Sequence, residues 1–247
     1  MKEYLLDKRH GLGLLAVFLL AIGPLALSVN HIDLLSDVSS STGWFFTALT
    51  DSAGSKGFLF TLAILLVISW KIIDSPKAFF AKLVQLGIIL VIGFAAKTGL
   101  KHMTESPRPY TELIAHQLLI PQAEHFYSLN SVQQGKVIDK ISQQVSHWRT
   151  IHWQGEKDYS FPSGHTIFAS ICLAFFGGLF VRSGHFALAS LVGLWAIGVA
   201  YSRLWLGMHR PIDLVGSILF ISIVFLVVPR LDSLLDKYLD RVPLLSH

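Results

Sequence analysis

Charge is what this sequence has least of. Asp, Glu, Lys and Arg make up 15% of its 247 residues, against about 25% in ordinary soluble domains. That scarcity excludes a disordered chain and a nucleic-acid-binding tail, both of which live on charge. Cysteine is almost absent as well. Cys172 stands alone, so no intramolecular disulfide can form, and its apolar surroundings make it packing material. No Cys/His cluster has zinc-ligand spacing. Internal repeats and low-complexity tracts are missing, as are collagenous and coiled-coil periods. What the chain does have is apolar residues, 52% of the total, with a mean hydropathy of +0.55. The net charge of +4 is small, so the position of each charge carries more information than the sum.

Six apolar runs approach the roughly 17–25 residues a helix needs to cross a bilayer. They are Leu12–Val29, Gly57–Ile73, Leu83–Leu100, Thr166–Val181, Phe186–Ser202 and Leu214–Val228. Buried helices of a soluble all-α protein would alternate a polar stripe with the apolar one, and none of these does. Ala26-Leu27-Ser28 has the small-x-small form of a signal-peptide cleavage site. The run before it exceeds the 7–15 residues or so of a signal h-region, so a membrane helix bent at Gly23-Pro24 is expected. The fold class is therefore an all-α integral membrane protein with six transmembrane helices. Helices one to three occupy 1–100, an outer segment 101–164, and helices four to six with a tail 165–247, as one domain overall.

Basic residues orient the chain. Lys2, Lys8 and Arg9; Lys71, Lys77 and Lys82; Arg182; and Arg230, Lys237 and Arg241 all fall on one side once six crossings are counted. That side is expected to be the cytoplasm, with both termini in it. The 101–164 segment then lies outside. It alone has soluble-domain composition, and Val137, Ile138, Ile141 and Val145 recur at helical spacing. Short amphipathic helices over the outer membrane face are expected, anchored by Phe126, Tyr127, Trp148 and Trp153 at headgroup level.

Polar residues gather where the runs meet this outer side. Helix three ends in Lys97 and Lys101, followed by Arg108-Pro109. Helix four begins at Phe161-Pro162-Ser163-Gly164-His165, helix five ends in Ser202-Arg203, and helix six begins at His209-Arg210-Pro211-Ile212-Asp213. Lys101, Arg108 and Arg203 suit a phosphate, as forks and point charges for its oxygens. Ser163 and Gly164 open a helix whose free N–H groups favour an anion. Asp213, in the first turn after Pro211, can reach a ring nitrogen of His209 and leave the other free as a nucleophile. His165 remains as proton donor, and one neutral and one protonated histidine predict a bell-shaped pH profile. Taken singly, Lys and Arg at a helix end are anchors and a helix-start Ser is a cap. Glu105, Glu156, Asp158, His102, His116, His125, His147, His152 and His185 receive no role, and Arg210 is expected to meet headgroups or water.

Together, Lys101, six residues, Arg108-Pro109; Pro162-Ser163-Gly164-His165; and Ser202-Arg203, five residues, His209, three residues, Asp213 form a three-part signature. It resembles that of the type 2 phosphatidic acid phosphatase superfamily, complete and in order. The resemblance implies that Lys101, Arg108, Arg203, Ser163 and the Gly164 backbone hold phosphate. It implies that His209 forms a phosphohistidine, Asp213 orients it, and His165 protonates the leaving group. Lys97 lies outside the signature as an auxiliary cation. The resemblance implies no metal and no cofactor, in keeping with the lack of a carboxylate cluster for magnesium or calcium. The expected activity is removal of a terminal phosphate from lipids at the periplasmic face of a bacterial inner membrane. Candidate substrates are phosphatidylglycerophosphate, phosphatidate, lysophosphatidate, diacylglycerol pyrophosphate and undecaprenyl pyrophosphate, with no nucleic acid and no obligate protein partner. A lipid phosphotransferase would use the same residues. A transporter would need ionisable residues near the bilayer midplane, where this chain is apolar, and a soluble vanadate-dependent haloperoxidase would not carry six apolar runs.

Overall fold

The computed structural model describes residues 2–29 and 32–229. The basic tail residues Arg230, Lys237 and Arg241 and both chain ends lie outside the described residues. In chain order the helices are α1 (Lys2–Ser28), α2 (Ser40–Asp51), α3 (Phe58–Ile72) and α4 (Pro76–Thr104). Four short ones follow: α5 (Pro109–His116), α6 (His125–Ser128), α7 (Ser131–Ile141) and α8 (His147–Gly155). Then come α9 (Gly164–Cys172), a π-helical turn (Leu173–Gly177), α10 (Gly178–Arg182), α11 (Phe186–Trp205) and α12 (Pro211–Val227). No strand occurs among the described residues.

Helix starts follow from local chemistry. Ser75 accepts from the Ala78 N–H at 3.4 Å, and Pro76 occupies the first turn of α4. Asn130 and Gln133 form a reciprocal capping box at α7, satisfying donors that a helix start leaves open. Pro211 opens α12 with its φ already suited to a helix. The chain runs through Pro24 without leaving α1.

All six expected runs are helical, but they are not equally long. Four stretches are long and apolar enough to cross a membrane: Lys8–Leu27, Pro76–His116, Gly164–Arg182 and Phe186–Trp205. The helices α3 and α12 are apolar and shorter, at 15 and 17 residues. At 1.5 Å per residue they span roughly 22–26 Å, less than a hydrocarbon core of about 30 Å. Of the six expected spans, length and composition thus support four, and α3 and α12 stand beside them as shorter apolar helices. The chain turns just before each of them, at Gly54–Gly57 and at Gly207–Arg210.

The rod formed by α9, the π turn and α10 is the centre of the bundle, flanked by α1, α4, α11 and α12. Ile167, Phe168, Ala169 and Cys172 are fully buried there. Gly11 of α1 lies so close to the Ala174 carbonyl that any side chain would collide with backbone, which only glycine avoids. Lys8, expected as a cytoplasmic anchor, is buried and donates to the carbonyls of Phe225, Leu226 and Val228. It thereby closes the C-terminal end of α12, where unpaired carbonyls and the helix dipole favour a cation.

A second core sits at the opposite end, between the short helices and the end of α11. Tyr110, Phe126, Ile138, Ile141, Trp153, Leu206 and Met208 are buried in it. Trp153 stacks on Tyr110 at 4.9 Å and its indole N–H donates to the Leu206 carbonyl at 2.8 Å. This corrects the reading of Phe126 and Trp153 as headgroup anchors: both are inside. The apolar face of α7 packs on protein through Ile138 and Ile141, so the short helices form a cap held by its own core.

Candidate active site

Four helix ends meet beneath that cap. Lys97 and Lys101 come from the last turns of α4, and Arg108 follows as the residue capping α5. Ser163 caps α9, and Gly164 and His165 form its first turn. Ser202 and Arg203 end α11. Gly207, with φ of +67°, then reverses the chain, and the Met208 N–H returns to the Arg203 carbonyl at 3.0 Å. This left-handed helix stop suits glycine and delivers His209 directly above the start of α12. All the expected residues are thus at one end of the bundle.

His209 is held from both sides. Its Nδ1 is 3.3 Å from Asp213 Oδ2 and 3.3 Å from Ser160 Oγ, while Nε2 is 3.3 Å from Arg108 Nη1. Arginine can only donate, so Nε2 is the unprotonated nitrogen and Nδ1 carries the proton toward Asp213. Asp213 is buried, and its Oδ2 also accepts from the Arg210 N–H at 2.8 Å and from the Ser160 hydroxyl. One carboxylate therefore caps α12 and orients the histidine. Burial first, then the neighbouring Arg108, Arg203 and Lys101 cations, push the His209 imidazole well below its ordinary pKa. A neutral ring with a free Nε2 is the form that can attack.

The cations converge on two carboxylates that carried no role in the sequence reading. Arg203 Nη2 donates to both oxygens of Glu156, at 2.8 and 2.9 Å, and its Nη1 donates to Thr50 of α2 at 2.7 Å. Arg108 Nη2 reaches Glu156 at 3.3 Å and Asp158 at 2.6 Å, and its Nε donates to the Asp158 carbonyl at 2.8 Å. Lys101 pairs with Asp158 at 3.1 Å and donates to the Tyr159 carbonyl. His165 Nε2 stands 3.9 Å from the same Glu156 carboxylate. Burial alone would raise both acids. The surrounding cations outweigh it, with Arg203 foremost for Glu156 and Arg108 for Asp158, so Glu156 falls well below the usual carboxylate range and Asp158 is lowered too. The arrangement is an anion site with its anion supplied from within.

Ser163 is fully buried, and its Oγ accepts from the Thr166 N–H at 3.3 Å and the Thr166 hydroxyl at 3.0 Å. Its own N–H donates to Ser217, so the backbone at this position is already paired. Lys97 runs past Gly164, where an added Cβ would stand 3.0 Å from the lysine Cδ. Arg210, partly exposed, pairs with Glu112 at 2.6 Å and donates to the Pro107 carbonyl. Beside the site is a cleft of about 630 Å3, lined by Lys97, Lys101, Glu156, Asp158, Gly164 and His165 and, toward α3 and α4, by Phe58 and Phe94. Sequence reasoning missed Glu156, Asp158, Ser160 and Thr50. The first two were visible only as acids lying a few residues before Pro162-Ser163-Gly164-His165, and Thr50 lay in a helix that hydropathy did not reveal.

With this geometry in view, the comparisons with known proteins decide the family. A model described as the PAP2 superfamily matches residues 82–233. The chain belongs to that superfamily. The matched stretch contains all nine residues expected in the site, from Lys97 to Asp213, but not Thr50. The chain is also 30% identical over 192 residues to phosphatidylglycerophosphatase B of Haemophilus influenzae, covering 74% of this chain and 79% of that protein. It is 35% identical over 147 residues to phosphatidylglycerophosphatase B of Escherichia coli, covering 58% of this chain and 57% of that one. For a PAP2 chain, then, the anion site, the buried His209–Asp213 pair and the half-apolar cleft are parts of one locality.

Proposed function

We propose that the protein is a membrane lipid phosphatase that removes a terminal phosphate through a phosphohistidine intermediate. The observation that carries this reading is the position of His209. Its free Nε2 lies against Arg108, one of two arginines that together already hold an anion. A phosphoryl group taking the place of the Glu156 carboxylate would sit between Arg108 and Arg203, with Lys101 on its flank and Nε2 facing phosphorus. Attack forms the N–P bond and breaks the bond from phosphorus to the lipid oxygen, which takes its proton from His165. Water then attacks the phosphohistidine, gives a proton to His165, and leaves inorganic phosphate and a neutral His209. Most of the stabilisation comes from fixed charges aimed at the developing oxyanions.

The lipid part of the reading rests on the cleft, which is cationic at the rim and aromatic at Phe58 and Phe94, where a chain can stay in the membrane. Among substrates, the names of the relatives favour phosphatidylglycerophosphate; phosphatidate, lysophosphatidate, diacylglycerol pyrophosphate and undecaprenyl pyrophosphate fit the same cradle. On this reading the site works at the periplasmic face of a bacterial inner membrane, the side opposite Lys71, Lys77, Lys82 and Arg182. Purified protein in detergent, with chelator present, is expected to release inorganic phosphate from members of this panel. His209→Ala should reduce release to background, and acid-labile phosphate should label the wild type but not the variant. Turnover by His209→Ala above background would remove the nucleophile assignment.

A further inference from the structure

Resting on the phosphatase reading above, we propose that Glu156 is a specificity-determining residue. It is an internal carboxylate that occupies the two-arginine anion site, keeps out the singly charged phosphodiester headgroups of the bilayer, and yields to a doubly charged terminal phosphate. Three observations carry this. The Glu156 carboxylate takes both oxygens to Arg203 and one to Arg108, and lies 3.9 Å from His165, so it fills the place between them. Its side chain is 29% exposed and lines the cleft of about 630 Å3, so it has room to swing out. It also belongs to no helix, but follows α8 in an extended conformation, with its N–H on the Trp153 carbonyl at 3.3 Å.

The chemistry follows from charge and oxygen count. A phosphodiester offers one negative charge and two free oxygens, which is what the carboxylate already provides. Exchange between them gains nothing, and the tethered carboxylate has the advantage of high effective concentration. A terminal phosphomonoester carries about 1.5 to 2 negative charges at neutral pH and three acceptor oxygens. Its extra charge faces Arg108, Arg203 and Lys101 in a site where Coulomb attraction is weakly screened. It displaces Glu156 where a diester does not.

The test is direct binding by the full chain in detergent micelles, read by titration calorimetry with inorganic phosphate as probe. Glu156→Gln, which keeps the shape and removes the charge, is expected to tighten phosphate binding about tenfold or more, as one charge-assisted contact is no longer displaced. Phosphatidylglycerol added to the micelles should weaken phosphate binding to the variant and leave the wild type unaffected. Glu156→Asp, one methylene shorter, should shift both readings in the same direction by a smaller factor, and decides the matter if the Gln variant does not fold. Equal phosphate affinity within twofold in wild type and variant, with no diester competition, overturns the proposal. If that happens while the wild type still releases phosphate from lipids, the phosphatase reading stands and the role of Glu156 falls. A wild type that neither binds nor releases phosphate takes both down.

Discussion

At the scale of single residues, Ser160 connects the site. Its hydroxyl donates to Asp213, and its oxygen lies 3.3 Å from both His209 Nδ1 and the Met208 carbonyl. It touches neither the anion site nor the cleft, so it acts through His209 as a positioning residue. Ser160→Ala leaves Asp213 short of a donor and the imidazole free to tilt. A fall in kcat of about tenfold or more is expected, at ~1.4 kcal/mol per factor of ten, with KM unchanged. Ser160→Thr keeps the hydroxyl and should recover most of the rate. Equal loss in both variants, or a loss confined to KM, would show a purely structural serine. Much of the site was legible because histidine, arginine and lysine at the ends of apolar runs are costly and therefore informative. The acids were not. Glu156 and Asp158 sit in a polar stretch where carboxylates are ordinary, and their sign is opposite to that of a phosphate ligand's partners. Only the fold shows that they neutralise those partners.

At the scale of helices, the apolar runs were legible because hydropathy needs no tertiary context, whereas α2 and the cap were not. In α2, residues Ser40–Asp51 mix Ser, Thr and aromatics without a strong apolar stripe, and the helix is fixed by what packs on it. Part of that packing is His152 of α8, 7% exposed, with Nε2 3.3 Å from Thr47 Oγ1. Burial first, then the charge of Arg203, pushes His152 down to about 4 from an ordinary 6.5. The folded protein thus keeps His152 neutral where the unfolded chain takes up a proton. Stability from this group is complete above pH 6.5, falls as pH drops through the interval, and levels off below about 4. The full loss is on the order of 3 kcal/mol at about 1.4 kcal/mol per pKa unit. His209, lowered by burial and its cations, adds a slope of the same sign. His152→Gln can still bond Thr47 but cannot titrate, so its melting temperature should fall less than that of the wild type between pH 7.5 and 4.5 in detergent. Parallel curves would mean that α8 docks on α2 without help from a neutral imidazole.

At the scale of the whole molecule, the sparse charges divide between two ends. At the site, Lys101, Arg108 and Arg203 each face a carboxylate. At the other end, Lys71, Lys77, Lys82 and Arg182 fringe the ends of α3, α4 and α10. Lys and Arg gathered at one end of a bundle set its orientation in a bilayer, whatever each of them pairs with, and this gathering lies opposite the site. The proposed topology therefore places α5 to α8 in the periplasm and the α3–α4 turn in the cytoplasm. Cys172, the one cysteine of the sequence, is fully buried, which leaves a silent background for single-cysteine labelling. Val132 is 68% exposed at the start of α7, and Asp74 is exposed in the α3–α4 turn. In intact cells with a permeable outer membrane, a membrane-impermeant maleimide should label Val132→Cys at once. Asp74→Cys should react only after the inner membrane is opened, and the unsubstituted protein not at all. The reverse order for the two positions would invert the protein and carry the proposed site to the cytoplasmic face, where the same chemistry would act on a different leaflet of lipid.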